Sequence, residues 1–372
     1  MLVGERYDAI VVGAGAMGTS TARHLAARGR RTLILERFEV GHARGSSGGP
    51  TRIFRLAYHH PSYARLAREA LDTWRALEEE AGEALLTTTG GLDVGPEVPA
   101  TAAVLDAAGE RYELLTTDEA RERWPALYLD PGAQVLFQAD GGVLRADATV
   151  RAQARLAVAA GARLREATTV GSFEPAGDGI TVTTLEGERH EAGVVVLAAG
   201  PWAGPLLAAA GIHLRLAPSR EQVSYFELPR TTPLPTVIDW NDERVEVPYA
   251  VPDPAEPGEF KVGFHRSGPV VSPDSAGEPD PSLHARAEAF AARRYPGARP
   301  AGRTDTCFYT TTPDEDFVLG RLGPVVVASP CSGHGFKFAP MFGEVLADLA
   351  TDAEPRIDLS MFRPDREALR AV

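Results

Sequence analysis

The sequence has little lysine, little cysteine and no long apolar run. Lys261 and Lys337 are the only lysines among 38 basic residues; arginine codon bias explains why lysine is rare, but not why these two remain. Cys307 and Cys331 are too few for a disulfide framework and fit a reducing cytosol. No segment approaches the ~20 apolar residues of a membrane span. These features exclude a disulfide-stapled secreted scaffold and a membrane-spanning helix, and they predict a cytoplasmic protein.

Positive charge is also in deficit, with 38 Lys+Arg against 51 Asp+Glu and a net charge of −13. A nucleic-acid or anionic-membrane partner needs a basic face, so we expect neither. The start of the chain, Met1–Asp8, carries charges that do not fit a signal peptide. Histidines, cysteines and carboxylates show no C-x-x-C or H-E-x-x-H spacing, so we expect no metal site.

The length of 372 residues, 44% of them hydrophobic, is enough for a large core. At roughly 150 residues per domain it suggests two domains, or one large domain with insertions. Alternating strands and helices occupy residues 1–85, 146–215 and 316–372. Short strands and proline-rich turns dominate residues 86–145 and 216–315. This distribution predicts two interleaved domains, one α/β and one α+β, rather than two consecutive ones.

Several elements can be placed from periodicity. Residues 7–12 and 193–197 are expected to be buried strands. A helix with a 3.6-residue apolar period is predicted from Pro61, with Ser62 as its N-cap. Further helices are expected near residues 147–161 and 283–294, and a last one after Gly335, through residue 349.

A glycine motif, Gly13-Ala14-Gly15-Ala16-Met17-Gly18, follows the first strand and opens a helix. In such a motif the first glycine permits the tight turn, the second lets backbone approach a pyrophosphate, and the third lets helix and strand pack closely. Glu36 follows the next strand, where a carboxylate can accept from adenosine ribose hydroxyls. The motif predicts a dinucleotide site and disfavours NADP, but it permits either NAD or FAD.

Segments outside this motif carry a more specific signal. In chain order they are Arg44–Arg55 (RGSSGGPTRIFR), Arg123–Pro125 (RWP), Gly141–Leu144 (GGVL), Ala198–Trp202 (AAGPW), Thr306–Thr312 (TCFYTTT) and Cys331–Phe338 (CSGHGFKF). This set resembles the monomeric sarcosine oxidase and N-methyltryptophan oxidase family, whose members are FAD enzymes of the D-amino-acid oxidase superfamily. The resemblance runs over nearly the whole chain in the same order.

The resemblance implies a discontinuous, Rossmann-like FAD-binding domain (residues 1–85, 146–215 and 316–372) capped by a β-sheet-based substrate domain (residues 86–145 and 216–315). It implies FAD attached covalently through Cys307. The expected reaction oxidises the C–N bond of a secondary amino acid to an imine, with O2 reduced to hydrogen peroxide and the imine hydrolysed by water. The expected partners are therefore a small amino acid and O2, and the expected protein is a monomer.

The resemblance also implies catalytic roles for three residues. Lys261 is assigned to oxygen activation, since an ammonium stabilises the negative charge that develops when O2 accepts an electron. His265 follows two positions later, so strand alternation places it on the same face, where it could contact the substrate or orient its amine. Arg52 is expected near the flavin, where a cation favours the reduced, anionic ring.

Substrate contacts are expected from four other residues. Arg55 and Lys337 are predicted to hold the substrate carboxylate, because two cations anchor it more firmly than one and arginine can bind it bidentately. Tyr249 and Tyr309 are expected to form walls of the pocket. The full set of cofactor-binding residues implied is Gly13, Gly15, Ala16, Met17, Gly18, Glu36, Arg37, Ser46, Ser47, Thr51, Arg52, Val170, Gly200, Trp202, Cys307, Gly333, Gly335 and Lys337.

One departure from the family pattern bears on specificity. After the two serines the family has a histidine where this chain has Gly48, and Pro50 replaces an acidic residue. The substrate is therefore left open between sarcosine or another N-alkyl amino acid, a cyclic imino acid such as proline or pipecolate, and a biosynthetic amine. A nicotinamide dehydrogenase and a non-catalytic flavoprotein are the alternatives from other classes.

Overall fold

The structure is a computed structural model that describes residues 6–229, 232–241, 247–275 and 277–370. The charged segment Met1–Asp8 is not expected to be a signal peptide, and its residues 1–5 lie outside the described residues. In the described part of the chain no helix is both long and apolar enough to cross a membrane.

The strands are β1 (Arg6–Val12), β2 (Thr32–Leu35), β3 (Thr51–Phe54), β4 (Leu86–Thr87), β5 (Gly91–Val94), β6 (Glu113–Leu115), β7 (Val135–Gln138), β8 (Gly142–Arg145), β9 (Arg163–Arg165), β10 (Val170–Ala176), β11 (Gly179–Thr184), β12 (Arg189–Leu197), β13 (Ala217–Glu227), β14 (Thr236–Asp239), β15 (Val247–Pro252), β16 (Glu259–His265), β17 (Arg299–Thr311), β18 (Val318–Leu322) and β19 (Val325–Ser329).

The α-helices are α1 (Ala16–Ala27), α2 (Pro61–Ala81), α3 (Val98–Ala108), α4 (Thr117–Arg123), α5 (Ala146–Ala159), α6 (Ala203–Ala209), α7 (Pro281–Arg294) and α8 (Ala339–Ala350). The fold is a mixed α/β one, in which a Rossmann-like unit is combined with a second, largely antiparallel sheet.

The first sheet holds the glycine motif at its edge. Its eight strands include the path β10-β11-β12-β1-β2-β9, with β19 parallel to β12 and β18 beside β19. Strands β12, β1, β2 and β9 run parallel, and Val12 pairs with both Leu35 and Leu197. The carboxyl ends of three buried strands therefore meet at one edge, the position at which open α/β sheets bind ligands.

The second sheet has eight strands in the order β17-β13-β16-β15-β14-β5-β7-β6, and all its pairs are antiparallel except β14 with β5. Alternation along β16 places Val262 and Phe264 in an apolar cluster with Phe226, and leaves Lys261 and His265 on the opposite face. A small sheet, β3-β8-β4, holds the strand that carries Arg52. The division into two domains by residue range stays a prediction.

The expected helices are present, with differences at their ends. Helix α2 is capped by His60, whose Nδ1 accepts from the Ser62 N–H at 3.3 Å, so the prediction of Ser62 as the N-cap is wrong. Pro61 occupies the first helical position, where its missing N–H costs nothing, so the cap lies two residues before Ser62. After Gly335 a 3-10 turn at Phe336–Phe338 precedes α8.

Helices α3 and α4 lie in the segment for which only short strands and turns are expected. Helix α3 is rich in alanine, so its apolar residues form a wide stripe and show no clear 3.6-residue period. Helix α4 is short, yet its capping box is readable: the Thr116 Oγ accepts from the Glu119 N–H, and the Glu119 carboxylate accepts from the Thr116 N–H. That Thr-x-x-Glu pattern is the signal that could have predicted the helix.

A buried ion pair ties α7 to the second sheet. The Arg294 guanidinium donates to the Asp239 carboxylate and, at 2.7 Å, to the Tyr128 carbonyl, and both charged side chains are almost fully buried. Replacing Arg294 with leucine leaves Asp239 buried without its counter-charge. We expect the free energy of unfolding to fall by about 3–5 kcal/mol, measured by urea denaturation.

Arg293 provides the matched control, since it is the adjacent arginine and its side chain is half exposed beside Asp130. Arg293→Leu should change the free energy of unfolding by less than about 1 kcal/mol. Equal destabilisation by the two variants would contradict a specific role for the buried pair.

Candidate active site

A cavity of about 1050 Å³ lies where the edges of the two large sheets face each other. The glycine motif and Glu36 line one part of it. Lys261, His265 and Tyr249 from the second sheet line another part, together with residues of the segment after β19. The volume is at the upper end of the range for small-molecule sites, so the cavity can hold a large ligand together with a small one.

The glycine motif has the geometry of a pyrophosphate cradle. Gly13 has a φ of +99°, and a Cβ there would lie 2.5 Å from the Ala198 carbonyl oxygen. A Cβ at Gly18 would lie 1.9 Å from the Gly13 carbonyl oxygen, so this glycine lets α1 pack against the turn and does not itself line the cavity. Helix α1 begins directly at the cavity and has no side-chain cap, which leaves backbone N–H groups and the positive end of its dipole facing it.

Glu36 is held by the same loop. Its carboxylate accepts from the Ala14 N–H at 2.6 Å and from the Phe38 N–H at 2.8 Å, and His42 Nε2 lies 3.4 Å away. Burial alone would raise the pKa of Glu36, but the hydrogen bonds from His42 and the two N–H groups lower it overall. The carboxylate is therefore ionised at neutral pH and can accept from ribose hydroxyls.

Two serines test whether FAD fits. Ser47 Oγ accepts from the Ala16 N–H at 3.0 Å, so it shapes the start of α1. Ser46 Oγ is buried and has no hydrogen-bond partner within the described protein, although it lines the cavity. Buried polar atoms are nearly always satisfied. This unpaired hydroxyl, the glycine cradle and the ionised Glu36 together fit a dinucleotide such as FAD.

The far end of the cradle is lined by the predicted residues Arg37, Val170, Gly200 and Trp202. Trp202 Nε1 donates to Asp274 at 2.9 Å, and Arg37 donates to the same carboxylate oxygen at 2.7 Å. These contacts connect the first sheet to the loop that follows β16.

Arg52 is fixed by backbone carbonyls. Its guanidinium donates to the carbonyls of Thr51 (2.8 Å), Ser46 (2.9 Å) and Gly48 (2.6 Å). A Cβ at Gly48 would lie 2.7 Å from the Ala43 Cα, so this loop shape leaves no room for the histidine of the family pattern. Gly48 is therefore required by the close packing of the loop that surrounds Arg52.

Lys261 joins the same cluster. Its side chain is buried, with 5% exposure, and Nζ donates to the Thr51 carbonyl at 2.7 Å. Burial, reinforced by the charge of Arg52, lowers the pKa of Lys261 to about 7. Thr51 was predicted to contact the cofactor, but it does not line the cavity. Its carbonyl accepts hydrogen bonds from Lys261 and Arg52 behind the cavity wall.

Lys337 is buried to the same 5%. It donates from Nζ to the Tyr58 hydroxyl at 2.9 Å and to the His334 carbonyl at 2.8 Å. Burial, with the charge of Arg55 second, lowers the pKa of Lys337 well below its ordinary value. Both lysines of the chain therefore lie in the cavity wall, whereas most lysines are solvent-exposed.

Arg55 lies over the Tyr58 ring, 4.5 Å from its centroid. It also faces Asp93, with 3.8 Å between guanidinium nitrogen and carboxylate oxygen. Asp93 is buried on β5 and accepts from Trp240 Nε1 at 2.9 Å; burial raises its pKa although Arg55 lowers it. Asp93 was not predicted as a site residue. The signal that could have indicated it is an acidic residue inside an otherwise apolar strand.

Cys307, Tyr309, Tyr249 and His265 line a further part of the wall. Tyr249 and Tyr309 share a hydrogen bond through their hydroxyls. Burial, with the charges of Arg266 and Arg55, lowers the pKa of His265 to about 4, so its ring is neutral at pH 7. Burial raises the pKa of the Cys307 thiol, against the opposing effect of Arg52 and Lys261.

A close approach joins this wall to the loop after β19. A Cβ at Gly333 would lie 2.3 Å from Tyr309 and 2.6 Å from His265. The structure thus gathers the predicted residues around one cavity, except Gly18 and Thr51, which shape it from behind. Unpredicted wall residues include Tyr58, His59, Trp240 and His334; they come from segments that only the tertiary structure brings together.

Comparison with known proteins gives consistent results. The sequence matches the family of FAD dependent oxidoreductases over residues 8–349. It is 34% identical to the monomeric sarcosine oxidase of Arthrobacter sp. (strain TE1826), covering 100% of this chain and 99% of that one.

Two solved structures are also similar. NikD, an unusual amino acid oxidase essential for nikkomycin biosynthesis, superposes with a TM-score of 0.89 at 31% identity, covering 97% of this chain and 98% of that one. The L-proline dehydrogenase from P. horikoshii gives a TM-score of 0.86 at 25% identity, with 97% and 98% coverage. All three relatives match over essentially their whole length.

Proposed function

The chain belongs to the FAD-dependent oxidoreductase family that includes the monomeric sarcosine oxidases, and on that premise we propose that it is a flavin-dependent oxidase of secondary amino acids. One observation carries the proposal: the cavity that holds a dinucleotide cradle is also lined by four basic side chains, those of Arg52, Arg55, Lys261 and Lys337. Such a lining suits a small anionic substrate beside a redox cofactor.

The proposed reaction balances as follows. A CH–NH bond of the substrate loses two electrons and two protons to give C=N, O2 gains them to give H2O2, and water splits the imine into an amine and a carbonyl compound. FAD, when bound, supplies the two-electron acceptor between substrate and O2. The chain's own residues have three tasks: to bind the carboxylate, to keep the amine close, and to stabilise charge on oxygen.

Arg55 and Lys337 would bind the carboxylate. Both line the same part of the cavity, and they present a planar fork and a compact ammonium to it. Holding the carboxylate fixes the position of the adjacent C–N bond. His265, neutral at pH 7, can accept from or donate to the amine without repelling it, and the hydrogen-bonded Tyr249–Tyr309 pair would limit the space beside it.

Lys261 would act on oxygen rather than on the amine. It is held by the Thr51 carbonyl, so its ammonium is fixed before the reaction and needs no rearrangement when negative charge appears on O2. Arg52, on the same carbonyl, would add a permanent positive charge that favours a reduced, anionic cofactor.

A peroxide assay across a panel of amino acids tests the function. The purified protein should show a visible flavin spectrum, and sarcosine or another N-methyl amino acid should yield stoichiometric peroxide and carbonyl product. Primary amino acids of the same size form the control series. A protein without flavin, or one that produces no peroxide with any secondary amino acid, would refute the proposal.

A cyclic imino acid is the second candidate substrate, because the fold also matches the L-proline dehydrogenase at 25% identity. Proline and pipecolate therefore belong in the panel. Anaerobic flavin reduction by proline without peroxide formation in air would favour a dehydrogenase that passes electrons to another acceptor.

We propose that FAD is attached covalently through Cys307. The thiol lies in the cavity wall, where the neighbouring cations Arg52 and Lys261 oppose the rise of its pKa that burial causes and so favour the thiolate needed for bond formation. Forming the C–S bond would remove one hydrogen from the thiol and one from the flavin carbon that it joins, and O2 would accept the two electrons and two protons as H2O2. After acid precipitation the yellow colour should stay with the wild-type pellet, and Cys307→Ser should release it completely into the supernatant.

Cys331→Ser is the control, because this second cysteine also lines the cavity but accepts from the Thr310 N–H through its sulfur. It should keep the flavin in the pellet. Flavin that appears in the supernatant of the wild-type protein would rule out the covalent link. We also propose a cytoplasmic monomer, in keeping with the name of the Arthrobacter relative and the scarcity of cysteine.

A further inference from the structure

The ammonium of Lys337 is held without a counter-ion. In the described part of the chain no carboxylate acts on it, and the charge that does is Arg55, which is of the same sign. Its partners are two neutral oxygens, the Tyr58 hydroxyl and the His334 carbonyl. Burial and Arg55 lower the pKa of Lys337, whereas an incoming carboxylate would favour its charged form. With no counter-ion in the protein, that charge is free to bind the anion, provided that something fixes the side chain.

Tyr58 supplies a fixed partner. Its ring is 7% exposed and stacks on Tyr63, with 5.3 Å between ring centroids. Its hydroxyl lies between Lys337 Nζ at 2.9 Å and His334 Nδ1 at 3.3 Å. Because an ammonium can only donate, the hydroxyl oxygen accepts from Lys337 and its own proton is left for His334.

His334 determines the direction of the hydrogen bonds that link Lys337, Tyr58 and His334. Its ring donates to the backbone carbonyl of Glu315, and a neutral imidazole that donates from one nitrogen accepts at the other. Burial, with the charge of Lys337 second, lowers the pKa of His334 well below its ordinary value, which keeps the ring neutral. A hydroxyl that donates its proton is a better acceptor, so His334 strengthens the bond from Lys337 to Tyr58.

We propose that Tyr58 and His334 are positioning residues that hold Lys337 for carboxylate binding, with His334 acting through Tyr58. The inference rests on the proposed function in that it takes Lys337 as the carboxylate anchor. Neither residue needs to contact the substrate. Their effect should therefore depend on Lys337 and on the carboxylate, and should be independent of the amine.

The test is a titration of the flavin-loaded enzyme with acetate, followed by the change in the visible flavin spectrum. Tyr58→Phe removes the hydroxyl and keeps the ring, and it should raise the Kd of acetate about 10-fold or more. Tyr63→Phe is the matched control: Tyr63 belongs to the same aromatic stack, but its hydroxyl donates to Asp316 at 2.8 Å. That variant should leave the Kd unchanged.

A double-mutant cycle separates positioning from a general structural effect. In a Lys337→Met background, adding Tyr58→Phe should have no further effect on the Kd, because the group that Tyr58 positions is gone. An equal loss in both backgrounds would overturn the proposal. So would a Tyr58→Phe enzyme that binds acetate as tightly as the wild type.

Two substitutions of His334 test its part. Glutamine can donate from its amide nitrogen and accept at its oxygen, so His334→Gln should retain most of the acetate affinity, whereas His334→Leu should lose as much as Tyr58→Phe. If His334→Gln and His334→Leu bind acetate with equal affinity, His334 has no part in positioning Lys337.

These results stay distinct from a failure of the proposed function. Acetate binding reads the anchor directly, whatever amine the enzyme oxidises. If Lys337→Met binds acetate as the wild type does, the anchor is wrong and the positioning role with it, even where peroxide is still formed. If no secondary amino acid is oxidised but the acetate series behaves as expected, the reaction is wrong and the anchor stands.

Discussion

Lys261→Met should slow the reoxidation of the reduced enzyme by O2 about 100- to 1000-fold and leave anaerobic reduction by substrate nearly unchanged. The loss is of the size found when one preorganised charge-stabilising donor is removed from an active site. The ammonium is already aligned by the Thr51 carbonyl, and methionine fills similar space without a charge. Stopped-flow spectroscopy measures the two half-reactions separately.

The control is Arg303→Met, which removes another cation from the same sheet. The Arg303 guanidinium lies 3.6 Å from the Tyr225 ring centroid and pairs with Glu259; Tyr225 lines the cavity, but Arg303 itself does not. Its loss should leave both half-reactions intact. Equal slowing of reduction and reoxidation in Lys261→Met would instead mean that the lysine is structural.

The same residue sets a pH dependence. Its pKa is lowered to about 7 by burial, so the charged form dominates below pH 7 and is lost as the pH rises. The wild-type reoxidation rate should therefore fall above about pH 7, and the Lys261→Met rate should not follow that fall. A parallel decline in both proteins would assign it to another group.

Lys337→Met should raise the KM for an N-methyl amino acid about 100-fold, with a smaller effect on kcat. Removing one member of a buried, hydrogen-bonded charge pair costs 2–5 kcal/mol, and about 2.7 kcal/mol corresponds to a factor of 100. The carboxylate that Lys337 would bind has Arg55 as its remaining cation. Steady-state kinetics on the flavin-loaded variant measure the effect.

The matched comparison uses the substrate rather than a second residue. An N-methyl amine without a carboxylate should be a poor substrate for the wild type, and the variant should oxidise it at nearly the wild-type efficiency. The variant thus loses selectivity between the two compounds. A proportional loss with both would point to a disturbed cavity and away from carboxylate binding.

Much of the fold was predictable because its signals are local. The glycine motif, the buried strand before it and Glu36 after the next strand lie within the first 36 residues, and the structure places them at one sheet edge. Alternation along β16 was enough to put Lys261 and His265 on one face. Helix α3 was missed because its small residues give no periodic contrast, and the capping box of α4 was not used.

The environment of the site was harder to predict, because it is made by contacts between distant segments. Asp93 reaches Arg55 only because β5 joins the second sheet beside β14. One partner of the Lys337 ammonium, the His334 carbonyl, lies only three residues away, but the other, the Tyr58 hydroxyl, comes from the segment before α2. Local sequence shows that a lysine is unusual in an arginine-rich chain, but not which hydroxyl it will meet.

The wall of the cavity also fixes the order in which the protein can mature during translation. Its residues run from Val12 to Lys337, and β19 completes the first sheet by pairing with β12. A nascent chain that ends at β17 therefore carries the glycine cradle but neither the last strand nor Lys337. The cavity wall is complete only after the segment that follows β19 has been synthesised, so we expect flavin binding to follow the synthesis of nearly the whole chain.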